Sequence, residues 1–84
     1  MEQTLKKKIE ILGPGCTRCK ETYRVVQSLV EAERLPFDVV KVESIERMVE
    51  LGLMATPGVA IDGRLVIYGR IPKADEMRKI LTHA

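Results

Sequence analysis

Apolar residues recur along this chain in two rhythms, one of period two and one of period near 3.6, and the switch between them outlines the fold. Ile9-Glu10-Ile11-Leu12 and Phe37-Asp38-Val39-Val40-Lys41-Val42 read as strands over residues 7–12 and 37–42. Between them, residues 17–34 carry a helical stripe that Pro36 ends. Ser44 is placed to cap a short helix running to Leu51, with Glu46 in its first turn and Gly52 as its stop. Leu53 to Gly58 reads as a loop. Val59-Ala60-Ile61, then Asp62-Gly63, then Leu65-Val66-Ile67-Tyr68 is a hairpin pattern, and Gly69 closes it. Pro72 suits the first position of a last helix with Ala74, Met77, Ile80, Leu81 and Ala84 on its buried stripe. The order β-α-β-α-β-β-α predicts an α/β domain over residues 1–84: a four-stranded mixed sheet with helices on both faces.

The chemistry lies where the first strand meets the first helix. Cys16-Thr17-Arg18-Cys19 holds the only two cysteines, behind the breaker Gly13-Pro14-Gly15. Unpaired N–H groups and the positive dipole end at a helix N-terminus favour a thiolate. At 100° per residue, Val30, Val26, Tyr23, Thr22 and Leu29 all fall within about 80° of Cys19. Cys19 is therefore expected at the centre of the buried stripe. Cys16, at its edge, is expected to be exposed and the more acidic of the two.

Charge and composition narrow the alternatives. A net charge of +2 and three aromatic residues, two Tyr and one Phe, give little for nucleic acid to bind. No apolar run approaches the ~20 residues that a membrane span needs. After Lys6-Lys7-Lys8 the apolar stretch is short and contains Glu10, so it is no signal sequence, and a cytoplasmic protein is expected. A cysteine pair in that compartment points to redox chemistry or metal binding. Two Cys and one distant His fall short of the four ligands of an intramolecular zinc site, which leaves a two-thiolate Cu(I) site or a metal shared between two chains as the metal alternatives. No metal and no other cofactor are expected, and the chain is expected to act as a monomer.

The segment from Ile9 to Lys20, with Gly13-Pro14-Gly15-Cys16-Thr17-Arg18-Cys19 at its centre, resembles the small thioredoxin-like proteins, also called redox-active disulfide or glutaredoxin-like proteins. Met54-Ala55-Thr56-Pro57-Gly58-Val59 is similar to the cis-proline segment of that superfamily, and Gly69-Arg70-Ile71-Pro72 to the turn into its last helix. The resemblance implies a thioredoxin-like fold and dithiol–disulfide exchange, with Cys16 as attacking thiolate and Cys19 as resolving thiol. It implies that Thr56-Pro57 faces the cysteines through a cis peptide and leaves the Thr56 backbone free to pair with an extended substrate. Gly15 and Arg18 complete the expected substrate-binding set. Substrates would be protein or small-molecule disulfides, and the reductant a thioredoxin-reductase-type enzyme or glutathione. The dipeptide between the cysteines is Thr-Arg rather than Gly-Pro, and Gly69 is followed by Arg70 rather than by the glycine and acid of glutathione-binding relatives.

Several residues carry two readings. Arg18 is either a solvated charge or a cation that favours the neighbouring thiolate. Glu10, six residues before Cys16, reads as an exposed strand residue; the resemblance offers it the part of a buried proton-transfer acid. Met48, Met54 and Met77 read as core, with Met54 alternatively lining a substrate groove. The competing function is a Cys-x-x-Cys module for metal delivery. Copper carriers of the ferredoxin-like fold share the motif, but their order β-α-β-β-α-β ends on a strand. A third reading is a redox-sensing domain that binds a partner at Thr56-Pro57 without turnover.

Overall fold

A computed structural model describes residues 7–15 and 17–83. The strands are β1 (Lys7–Leu12), β2 (Phe37–Val42), β3 (Gly58–Ile61) and β4 (Arg64–Tyr68). The helices are α1 (Thr17–Ala32), α2 (Ile45–Glu50) and α3 (Ala74–Thr82). The strands form one mixed sheet in the order β2-β1-β3-β4. β1 runs parallel to β2, from Lys7 opposite Phe37 to Leu12 opposite Val42. β1 is antiparallel to β3, and β3 to β4. The expected thioredoxin-like β-α-β-α-β-β-α fold is the one observed.

Alternation along the strands sorts the core into two layers. Ile9 and Ile11 of β1 and Val59 and Ile61 of β3 pack against Val26, Leu29 and Val30 of α1 and Met77 and Leu81 of α3. Leu12 and Ala60 point the other way and meet Met48 of α2 and Leu53. A register shift in the hairpin leaves Val66 as an extra residue, so Val66 and Ile67 both face the α1/α3 layer while Leu65 packs towards α2. Asp62 and Gly63 make the hairpin turn at φ 50° and 83°, the left-handed pair that Asp-Gly favours.

The helix ends show where pattern and geometry part. α1 stops at Ala32 because Arg34 turns left-handed at φ 51° and the Leu35 amide bonds back to the Val30 carbonyl at 3.0 Å. α2 begins as expected, with Ser44 Oγ accepting from the Arg47 amide at 3.2 Å. α3 starts later than Pro72. Lys73 is its extended N-cap, and Glu76 Oε1 accepts from the Lys73 amide at 3.4 Å. Pro72 is buried just ahead of the helix, and Ala74, expected on the apolar stripe, is exposed. Ala84 lies outside the described residues.

Candidate active site

The expected attacking residue, Cys16, lies outside the described residues. Its neighbours define the surroundings. Cys19 sits in the first turn of α1 and is 5 % exposed, as the helical phase predicts. Its sulfur fills the space that a side chain on Gly13 would occupy, and Thr56 Cβ stands 3.9 Å from the same point. Gly13 thus lets Cys19 and the Thr56-Pro57 loop approach one another. The Thr56–Pro57 peptide is cis and Pro57 is buried.

A hydrogen-bonded chain links this loop to the helix. The Gly69 amide donates to the carbonyls of Pro57 at 2.8 Å and Ala55 at 3.1 Å. Arg18 Nη2 donates to the Gly69 carbonyl at 3.2 Å. Arg18 is therefore neither a simple solvated charge nor a group aimed only at the thiols. It ties the start of α1 to the end of β4. Next to this junction Arg70 pairs with Glu76, whose carboxyl its hydrogen bonds push down to about 2.

On the other side of Cys19 the ends of β1 and β2 lie together. The Gly13 amide donates to the Val42 carbonyl at 3.0 Å. Glu43 then folds over Gly15, with Oε2 3.4 Å from where a side chain would begin. Gly15 has φ +88°, so its lack of a side chain serves the turn, while Glu43 lies within ordinary contact of it. A cavity of about 40 Å³ remains there, lined by Cys19, Ile11, Gly13, Gly15, Lys20, Lys41 and Glu43. The Lys41 amine lies 4.7 Å from the centre of the Tyr23 ring.

Glu10 differs from expectation. It is 4 % exposed, not a surface residue. It occupies the α2 side of β1, and Arg47 of α2 meets both its oxygens, Nε to Oε2 at 2.9 Å and Nη2 to Oε1 at 2.8 Å. Those hydrogen bonds hold its carboxyl below the usual range against the opposing effect of burial. A carboxylate engaged at both oxygens is poorly suited to accept a proton. The sequence offers no sign of Arg47 as its partner beyond the need of a buried acid for a counter-charge. Met54 also departs from the core reading, at 95 % exposed, whereas Met48 and Met77 are buried. Met54 and the exposed Tyr68 flank the Ala55–Pro57 loop and Gly69. Gly13, Gly69 and Glu43 were not legible as site residues, because each acts through backbone or loop proximity that pattern does not encode.

Among the described residues no three His, Cys, Asp or Glu side chains gather as a metal site, and no helix is long and apolar enough to cross a membrane. Residues 7–82 match the family model described as Thioredoxin domain. The chain is similar to a thioredoxin of Methanothermobacter thermautotrophicus, 35 % identical over 75 residues that cover 89 % of this chain and 97 % of that one. It is also similar to a thioredoxin of Methanocaldococcus jannaschii, 37 % identical over 73 residues, covering 87 % and 84 %. A match of that extent, on a sheet and loop arranged in this way, makes the chain a member of the thioredoxin-domain family and a thioredoxin-like redox protein.

Proposed function

We propose that the chain is a dithiol–disulfide oxidoreductase that uses Cys16 and Cys19. The supporting observation is the burial of the Cys19 sulfur against Gly13 and Thr56, three residues after a second cysteine at the helix start. The Cys16 thiolate attacks one sulfur of a substrate disulfide. A mixed disulfide forms and the first substrate sulfur leaves as a thiolate. Cys19 loses its proton and attacks Cys16 Sγ, which forms the Cys16–Cys19 disulfide and breaks the bond to substrate. The substrate gains two electrons and the protein dithiol loses two. A dithiol reductase or a small thiol returns them. The substrate segment docks along Thr56-Pro57, with its apolar side chains on Met54 and Tyr68. A protein disulfide beside an exposed apolar stretch suits that surface best.

The test is reduction of insulin driven by dithiothreitol. Wild type should accelerate it, Cys16→Ser should be inactive, and Cys19→Ser should accumulate the mixed disulfide. Reduced protein treated with iodoacetamide near neutral pH should be labelled at Cys16 first. Absence of exchange in wild type, together with tight Cu(I) binding through both cysteines, would replace this reading with metal delivery.

A further inference from the structure

We infer that Glu43 receives the proton of Cys19 when the resolving thiol is activated, through a water held in the cavity between them. The inference rests on the exchange reaction proposed above. A shielded thiol must shed its proton before it attacks, and an acceptor must lie within hydrogen-bond reach or one water away. Glu10 is unsuited to this task, since it faces α2 and both its oxygens are held by Arg47. Glu43 is the acid that lines the cavity together with Cys19. Among the described residues it enters no ion pair and no hydrogen bond, so both its oxygens are available. The cavity, about 40 Å³, is large enough for one water molecule. Glu43 is itself exposed, so a proton it accepts passes on to solvent.

The other charges facing the cavity are Lys20 from α1 and Lys41 from β2. Both are cations, which favour the thiolate product. The proton moves from Cys19 Sγ to the water as the water gives one to a Glu43 oxygen. The thiolate then attacks Cys16 Sγ, and the electron pair of the broken bond leaves on the substrate sulfur.

The experiment is stopped-flow reaction of the reduced protein with an aromatic disulfide, whose two thiolates are released in turn by attack and by resolution. Glu43→Gln should leave the first release intact and slow the second about ten-fold, less than the roughly 10²–10⁴-fold of a fully shielded general base because bulk water competes for the proton. Its second phase should also rise about ten-fold per pH unit near neutrality, where wild type is flatter, because hydroxide must replace the lost base. A carboxylate acting only through its field predicts the reverse. Its removal would ease ionisation of Cys19 and leave resolution equal or faster, which would overturn the proposal. So would slow resolution in Glu10→Gln alongside a normal Glu43→Gln. Loss of the first release in wild type would instead remove the exchange reading itself, so the two failures are separable.

Discussion

Replacing Gly13 by Ala should destabilise the protein by about 1–3 kcal/mol, as overpacking does. The added methyl would stand where the Cys19 sulfur is. The obstacle at Gly13 is space, whereas at Gly15 it is a left-handed backbone. Urea unfolding of Gly13→Ala measures the effect, and an unchanged midpoint would mean that the helix shifts without loss. Arg47→Met tests a different residue. It strips both hydrogen bonds from a buried carboxylate, and removing one partner of a buried pair typically costs 3–5 kcal/mol. Arg47 is about one-third exposed, so solvent screens part of the pair and a smaller loss is expected here. The pH dependence should change sign as well. In wild type Glu10 is held below its ordinary 4.5, so its contribution is present above that value and fades as pH falls through the folded-state one. In Arg47→Met burial outweighs the remaining attraction of Lys8 and raises the Glu10 pKa, so the variant should regain stability as acid protonates Glu10. Unfolding midpoints measured from neutrality down to about pH 4 would stay nearly flat in wild type and rise in the variant.

Elements were far more legible than the contacts between them. The two parallel strands keep the bounds that alternation predicts, because a strand with one face in each core layer leaves a period of two in its sequence. The Ser44 cap was legible for the same reason, since a hydroxyl before a helix meets a specific orphan amide. Ser44→Ala should cost about 1 kcal/mol, read as a lower midpoint in thermal unfolding. Glu10 shows the limit. A polar residue in alternation reads as solvent-facing, yet this sheet has helices on both faces, so its alternate positions are buried too. Pro72 stands just before the cap and not at the first helical position, two placements that differ only in backbone angles the sequence does not display. At the site, the cysteine spacing gave the burial of Cys19 through helical phase. The Arg18–Gly69 bond and the approach of Glu43 to Gly15 depend on loops that meet only when the sheet is assembled.

Across the whole molecule, the ends of β1, β2 and β4, the loop before β3 and the first turn of α1 meet at one end of the sheet. Two carboxyls held low, Glu76 at about 2 and Glu10 below its ordinary range, make the assembled fold sensitive to acid. Both are depressed, so stability should be full above about 4.5 and decline as pH falls towards 2. Urea titrations at successive pH values should show that slope, with Arg70→Gln removing its lowest part. Burial of Cys19 against a glycine has a consequence for measurement. With Cys16 changed to Ser, an alkylating reagent reaches Cys19 only when the surrounding structure opens. Its modification rate then reads the opening equilibrium directly, without denaturant. An adduct on that sulfur has no room when the chain closes again, so each opening caught by the reagent is permanent. The residue proposed to complete catalysis thereby doubles as a clock for how often the native state lets go.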